Sequence, residues 1–107
     1  MTATIDDFKK LELRTAEIES VEEHPNADRL YVLKVRVGEE IKQIVAGIRK
    51  FYAPDDLKGK KIVIVNNLEP VTLRGVESQG MLLAASDEES LSLVVPERPM
   101  THGLQVR

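Results

Sequence analysis

The chain has 107 residues, of which 42% are hydrophobic and 31% are charged, and its formal net charge is −3. This length fits one domain over residues 1–107, and no apolar stretch approaches the roughly 20 residues that a membrane-spanning helix needs. Because the chain has no cysteine and only two, widely separated histidines, disulfides, cysteine nucleophiles and metal sites are not expected. The acidic N-terminal segment has no hydrophobic signal region, so we expect a cytoplasmic protein that folds without a cofactor.

The first two predicted elements are a short helix and a long strand. Residues 6–10 can form one helical turn, with Asp6 as its N-cap and two lysines at its C-terminal end. Residues 11–21 then alternate with the period of a strand, but Leu13 and Ile18 fall on opposite faces. We therefore expect a β-bulge or a strong bend within this strand.

The middle of the chain predicts a turn, three strands and one helical turn. Proline, asparagine and aspartate make residues 24–28 a turn. Residues 29–38 and 41–47 form two strands of a hairpin. Residues 52–59 form one helical turn, with proline near its start and glycine at its end. Residues 60–66 form a strand that is apolar over four positions, so both of its faces should be covered.

Glycines interrupt the C-terminal third of the chain. Residues 73–83 include a loop before an apolar run at 81–85. Residues 90–95 form a strand that ends at a proline, and residues 104–107 can add one more short strand. Three strands, a helix and returning strands are the order of an all-β OB-fold, a five-stranded Greek-key barrel over about residues 11–95. A two-sheet sandwich with a capping helix is the alternative.

Charge is unevenly distributed along the chain. Residues 29–75 carry ten basic and five acidic side chains, a net of +5, whereas the segments before and after them carry nets of −5 and −3. A basic middle can build a positive face on an acidic protein, and such a face attracts nucleic acids. The alternative is that these long side chains only solvate exposed strand faces.

Groups for acid–base or nucleophilic catalysis are scarce. Only His24 and His102 have side chains that ordinarily titrate near neutrality, and both lie in a predicted turn or an irregular segment. No serine has the glycine-flanked setting of a hydrolase nucleophile, and no glycine-rich phosphate loop is present. The sequence therefore predicts a protein that is not an enzyme and has no small-molecule substrate.

Aromatic residues are too few to make base stacking the main source of affinity for a nucleic acid. The chain has two phenylalanines, two tyrosines and no tryptophan. We expect Phe8 and Phe51 to pack in the core or against a helix. Phosphate contacts and recognition of shape need only basic, amide, hydroxyl and backbone groups. A structured RNA therefore fits this sequence better than a flexible single strand.

Six motifs identify a family when they are taken together. They are Asp7-Phe8 with Leu13-Arg14, His-Pro-Asn-Ala-Asp-Arg-Leu-Tyr at 24–31, Ile-Val-Ala-Gly-Ile at 44–48, Asn-Leu-Glu-Pro at 67–70, Arg74-Gly75, and Ser-Gln-Gly-Met at 78–81. In this order and at these spacings, the chain resembles the EMAP II-like tRNA-binding domain family over nearly its full length. That family includes the C-terminal domain or β-subunit of methionyl-tRNA synthetase and small stand-alone dimeric tRNA-binding proteins.

The resemblance implies an OB-fold homodimer that binds the outer corner of folded tRNA by its shape. It also implies a module that assists a methionyl-tRNA synthetase catalytic chain and does not itself catalyse aminoacylation. The family's dimer-forming parts correspond to residues 4–10 and 95–107. Carried over to this sequence, the tRNA-binding residues are Asn26, Arg29, Arg49, Asn67, Arg74, Ser78, Gln79 and Met81, with Arg14, Lys34 and Lys50 as flanking phosphate contacts.

Each of these side chains suits a particular contact. Arg49 and Arg74 offer forked donors to phosphates, and Met81 offers an adaptable apolar surface. The asparagine at 67 and the serine at 78 can both donate and accept, which suits a ribose 2′-hydroxyl. Asp28 would repel phosphate, so we expect it, like His24, to support the turn.

Some features weaken this interpretation. Local pattern alone favours ordinary turn chemistry for residues 66–68 and 74–81. Glu69 and Thr72 stand where many relatives have basic residues, and Thr15 stands where valine is common. These differences predict a less basic surface and weaker RNA binding.

Two other functions are left open by the sequence. A CsaA-like secretion chaperone shares the architecture and binds unfolded polypeptide, but such chaperones typically lack the intact motifs at 24–28 and 78–81. The third possibility is a purely structural dimerisation module.

Overall fold

Strands dominate the computed structural model, which describes residues 1–107. The two helices are α1 (Ile5–Lys9) and α2 (Pro54–Leu57). The strands are β1 (Leu13–Glu23), β2 (Tyr31–Val37), β3 (Glu40–Ala46), β4 (Lys61–Val65), β5 (Val71–Leu73), β6 (Val76–Ser78), β7 (Met81–Leu82), β8 (Ala84–Ser86), β9 (Leu91–Leu93) and β10 (Gln105–Val106). The all-β class predicted from the sequence is confirmed.

One strongly curled antiparallel sheet forms the body of the protein. Its strands follow the order β3-β2-β1-β4-β7, and β10 also pairs with β1. The hairpins β5–β6 and β8–β9 form separate two-stranded sheets. The barrel-like curl agrees with the predicted fold class, whereas its assignment as an OB-fold and the barrel limits 11–95 stay predictions.

Strand β1 organises the sheet because it pairs with three other strands. Its first half pairs with β4 and β10, and its second half pairs with β2. The register to β2 shifts between Ile18 and Ser20, so the strand does contain an irregularity. It lies after Ile18, however, and the pairing with β4 is regular from Leu13 to Glu17, so it does not bring Leu13 and Ile18 to one face as predicted. A bulge at this point bends the strand and increases its twist, so that one strand serves both halves of the curl.

The core lies inside the curl. Its largest fully buried side chains are those of Ile18, Leu33, Val35, Ile44, Ile48, Leu57, Ile62 and Ile64. The four apolar residues that end β4 are all buried, as predicted from their uninterrupted run. Phe8 and Phe51 are 41% and 39% exposed, so of the two predicted locations, the core or against a helix, the core is wrong.

The two helices begin in different ways, α1 with a capping box and α2 with a proline. The N-cap of α1 is Thr4 and not Asp6: the Thr4 hydroxyl accepts from the Asp7 N–H, and the Asp7 carboxylate accepts from the Thr4 N–H. This capping box starts the helix one residue earlier than predicted. Helix α2 lies within the predicted segment 52–59 and begins at Pro54, whose fixed φ suits a first helical position. Neither helix has the length and apolar character needed to cross a membrane.

Backbone and side-chain hydrogen bonds close the curl between β3 and residues 78–80, at the end of β6 and just after it. The Gln79 N–H donates to the Gln43 carbonyl at 2.7 Å, and the Gln43 N–H donates to the Gln79 side-chain oxygen at 2.8 Å. The Ser78 hydroxyl accepts from the Val45 N–H and donates to the Gly80 carbonyl, both at 3.0 Å. We call this set of contacts the seam, because it takes the place of a continuous strand ladder.

Candidate nucleic-acid interface

Two turns meet at the surface and enclose an open cleft of about 380 Å³. One is the turn between β1 and β2, at residues 24–30, and the other joins β5 to β6. The cleft is lined by Asn26, Ala27, Asp28, Arg29, Leu30 and Arg74. We call it the arginine cleft. The first turn was predicted from its proline, asparagine and aspartate, whereas the β5–β6 hairpin was not predicted.

Arg74 has a backbone conformation that is rare for arginine. Its φ is +52° and that of Gly75 is +90°, so these two residues form a tight hairpin turn with both φ angles positive. A left-handed backbone costs about 1 kcal/mol for a residue with a Cβ. The Arg74 guanidinium donates to the Asn26 carbonyl at 3.2 Å, and the Asn26 amide donates to the Arg74 carbonyl at 3.4 Å. These two hydrogen bonds hold the exposed Arg74 at the rim of the cleft despite the strain in its backbone.

The basic residues at 29, 49 and 50 of the predicted set differ in how many of their side-chain donors are already hydrogen-bonded within the chain. Arg49 donates to the Glu23 carboxylate at 2.7 Å and to the Ala27 carbonyl at 3.4 Å, so its guanidinium supports the turn. Arg29 and Lys50 are exposed, and their side chains make no hydrogen bond or ion pair within the chain. Arg29 and Lys50 are therefore available to a phosphate, and Arg49 only through its remaining donors.

Two residues of the predicted RNA-binding set take part in the seam. Ser78 is 3% exposed and its hydroxyl already donates and accepts within the chain. The side-chain oxygen of Gln79 is occupied by the Gln43 N–H. We therefore assign both residues to closure of the sheet and leave them out of the proposed RNA contact surface.

Asn67 and Arg14 lie together beside the N-terminal segment. The Asn67 side chain accepts from the Glu12 N–H and donates to the Lys10 carbonyl, both at 2.8 Å. The Arg14 guanidinium donates to the Glu12 carboxylate at 2.9 Å, and this hydrogen bond lowers the pKa of Glu12 below its ordinary value. Asn67 therefore holds the segment before β1, whereas Arg14 contacts Glu12 and, at 3.4 Å, the Gly103 carbonyl of the C-terminal segment.

Three further side chains lie outside the arginine cleft. Lys34 donates to the Gln43 side chain at 2.7 Å, and Met81 is 49% exposed. Lys42, which no local pattern singled out, donates to the Asn66 carbonyl at 2.6 Å, beside a buried Asn66 side-chain oxygen that has no partner. The structure thus groups Asn26, Arg29, Arg49 and Arg74, and Lys50 follows Arg49 directly in the chain; the other predicted residues lie apart from this group.

The two terminal segments carry a second exposed surface, which is apolar. Its large side chains are 38% to 46% exposed and comprise Phe8, Leu11, Val94, Val95, Met100 and Leu104. They line two depressions of about 450 Å³ each, which share Gln105, Val106 and Arg107. We call this the terminal surface. Exposed apolar patches are one of the features by which interaction surfaces are recognised.

Comparison with known proteins assigns the chain to a family. Residues 13–105 match the model of the family described as "Putative tRNA binding domain". The chain belongs to this tRNA-binding domain family. The resemblance stated from the six sequence motifs is thereby confirmed.

Relatives of this tRNA-binding domain are found in much longer proteins. The chain is 53% identical over 104 residues to a methionine–tRNA ligase of Thermococcus kodakarensis, covering 97% of this chain and 14% of the ligase. It is 50% identical over 103 residues to the methionine–tRNA ligase of Caldanaerobacter subterraneus, covering 96% of this chain and 16% of the ligase. The chain therefore spans about a seventh of the length of these relatives.

Two kinds of solved structure share the fold over the whole chain. A MetRS-related protein from Pyrococcus horikoshii superposes with a TM-score of 0.92 at 32% identity, covering 100% of this chain and 99% of that one. The chaperone CsaA from Bacillus anthracis superposes with a TM-score of 0.90 at 31% identity, covering 100% of both chains. The fold alone thus does not separate these two kinds of protein.

Proposed function

We propose that this chain is a non-catalytic tRNA-binding module that recognises the outer corner of folded tRNA. The observation that carries the proposal is the strained left-handed Arg74 at the rim of the arginine cleft, in a chain of the tRNA-binding domain family. Backbone strain that the surrounding structure maintains is concentrated at functional sites. An exposed guanidinium fixed in this way offers two donors to a phosphate.

The residues around the cleft support recognition of backbone and shape. Arg29 and Lys50 have free basic groups, and the Asn26 amide is exposed at the same rim. No aromatic side chain lines the cleft, so it has no platform on which a base could stack. The proposed contact surface therefore consists of Asn26, Arg29, Lys50 and Arg74, with Arg49 as a partial contributor.

We propose further that the terminal surface pairs two copies of the chain as a homodimer. Its exposed apolar side chains come largely from the two segments that the sequence predicted for dimerisation. The match to a part of several methionine–tRNA ligases supports a role beside a methionyl-tRNA synthetase catalytic chain in the cytoplasm. In that role the module would increase the hold of the synthetase on tRNA without taking part in aminoacylation.

A chaperone of the CsaA type is the second candidate function. It is favoured by the close superposition on two CsaA structures and by the terminal surface, whose apolar depressions could hold unfolded polypeptide. Such binding would depend little on salt, because apolar contacts release few counterions. Binding to tRNA would weaken steeply as salt rises.

The deciding experiment titrates the protein with full-length tRNA, an anticodon stem-loop and a permanently unfolded polypeptide at two salt concentrations. We expect salt-sensitive binding to the full-length tRNA and much weaker binding to the stem-loop, because the stem-loop lacks the outer corner. Equal affinity for both RNAs would refute corner recognition. Binding to the polypeptide alone would establish the chaperone function instead.

A further inference from the structure

His24 is a buried histidine whose contacts join the two turns of the arginine cleft. It is 3% exposed. Its Nδ1 accepts from the Asn26 N–H at 3.0 Å, and its Nε2 lies 3.0 Å from the Leu73 carbonyl oxygen. Because Nδ1 accepts, a neutral ring carries its proton on Nε2 and donates it to Leu73. One side chain thus binds the first turn on one side and the hairpin on the other.

This contact lies directly before the strained residue. Leu73 precedes Arg74 and ends β5, a strand whose three residues are all exposed. The two direct hydrogen bonds between Asn26 and Arg74 are 3.2 Å and 3.4 Å long and lie at the surface, where water competes for them. The His24 hydrogen bonds are shorter and shielded from water, so they fix the hairpin more firmly.

We propose that His24 is the positioning residue of the arginine cleft: its Nε2–H holds the Leu73 carbonyl and so places the Arg74 guanidinium for RNA. The inference rests on the proposed function, because it assigns Arg74 to the RNA contact. A guanidinium held in place before binding loses less conformational freedom when a phosphate arrives, and this raises affinity. Removing the contact should therefore weaken RNA binding even though His24 itself is shielded from RNA.

Two substitutions separate the two halves of the His24 contact. In His24→Asn the amide group lies near the position of Nδ1, so it can still accept from Asn26 but cannot reach Leu73. In His24→Gln the amide lies near the position of Nε2, so it can still donate to Leu73. A residue that only stabilises its own turn would tolerate asparagine better than glutamine. A residue that positions the hairpin would show the opposite order.

The test measures full-length tRNA binding of these two variants with and without Arg74→Ala, next to the core variant Ile62→Val, chosen as a control for lost stability. We expect His24→Asn to weaken binding about tenfold, the scale of one hydrogen bond, and His24→Gln to weaken it less than about threefold. With Arg74→Ala present, His24→Asn should add less than about twofold, because coupled residues are not additive. Ile62→Val should bind as the wild type does.

Three results would overturn the inference. They are equal effects of the two His24 variants, a larger loss for glutamine than for asparagine, or full additivity with Arg74→Ala. The proposed function fails separately if the wild type does not bind full-length tRNA, or if Arg74→Ala binds it as tightly as the wild type does. In that case the ¹⁵N relaxation of the Arg74 side chain in the free protein decides, since His24→Asn should increase its mobility and His24→Gln should not.

Discussion

The arginine cleft and the terminal surface use opposite means to present a binding surface. At the cleft, hydrogen bonds between two turns hold a few polar side chains, one of them on a strained backbone. At the termini, hydrogen bonds to Thr15 hold the backbone of the C-terminal segment, but the apolar side chains that it carries are left half exposed. The difference indicates that a phosphate-binding site depends on the placement of single groups, whereas an apolar surface depends on the area that its backbone presents.

The substitution with the largest expected effect is Gly103→Ala. It should disturb the terminal surface and leave the arginine cleft intact. Gly103 has a φ of +83°, and a Cβ there would lie 2.7 Å from the Gly38 nitrogen and 2.9 Å from its Cα. We expect the free energy of unfolding to fall by about 3 kcal/mol, combining backbone strain with displacement of the C-terminal segment. Denaturant unfolding measures this loss.

Gly59→Ala is the matched control for that variant. Its φ is +86°, but a Cβ added there would meet no atom within 4 Å, so only the conformational cost of about 1 kcal/mol applies. If the two alanine variants were equally destabilised, the contact between Gly103 and Gly38 would have no role in holding the terminal segment.

Arg74→Ala should affect the cleft and leave the terminal surface intact. We expect affinity for tRNA to fall about tenfold for every tRNA species, and the slope of log affinity against log salt to become shallower by about one. Arg98→Ala is the control, because Arg98 is exposed and lies 4.0 Å from its only ionic partner, Glu97. Loss of binding for one tRNA species only would contradict recognition by shape.

Arg74→Asn should separate function from stability at the same position. Asparagine tolerates a left-handed backbone better than arginine does, so we expect the free energy of unfolding to rise by about 0.5 kcal/mol. Affinity for tRNA should nevertheless fall as it does in Arg74→Ala. A thermal melt beside a binding titration measures both quantities, and a destabilised Arg74→Asn would show that the arginine contacts outweigh the strain.

The smallest effect concerns the ion pair between Glu12 and Arg14, beside the terminal segment. The pKa of Glu12 is lowered from 4.5, first by its hydrogen bond to Arg14, so ionised Glu12 stabilises the fold above about pH 4.5. This contribution is lost as the pH falls through the lowered pKa. Because both side chains are at least one-third exposed, we expect Glu12→Gln to cost only about 0.3 kcal/mol at pH 7. The difference from the wild type should vanish in acid, and urea unfolding across pH tests this.

Parts of the fold could be predicted because they depend on neighbours in sequence. The buried strand β4 follows from four consecutive apolar residues. An irregularity in β1 was also predicted, but it lies after Ile18 and not between Leu13 and Ile18. The β5–β6 hairpin could not be predicted, because Arg74 has no intrinsic preference for the turn that it occupies. Asparagine or glycine at that position would have signalled it.

The candidate site was harder to predict because its contacts are distant in sequence. The local sequence predicts that Ser78 is a polar loop residue. In the structure it is buried, and its hydroxyl accepts a hydrogen bond from the backbone N–H of Val45, 33 residues away. The Asn67 side chain similarly forms hydrogen bonds with the backbone of Lys10 and Glu12, which are also distant in sequence. A polar side chain in a loop can be free to contact RNA, or it can be occupied by a hydrogen bond within the protein. The local sequence does not distinguish these two cases, because the internal partner lies in a distant segment.

Residues 101–106 limit strand pairing between copies of this protein, because they cover part of the edge of strand β1. The Thr15 hydroxyl accepts from the Leu104 N–H and donates to the Thr101 carbonyl, and β10 continues the contact along β1. This covers a stretch of strand edge that would otherwise offer free N–H and C=O groups to a strand from another molecule. The C-terminal segment, which the Thr15 side chain helps to hold, thus leaves less of the β1 edge open to strand addition by another molecule.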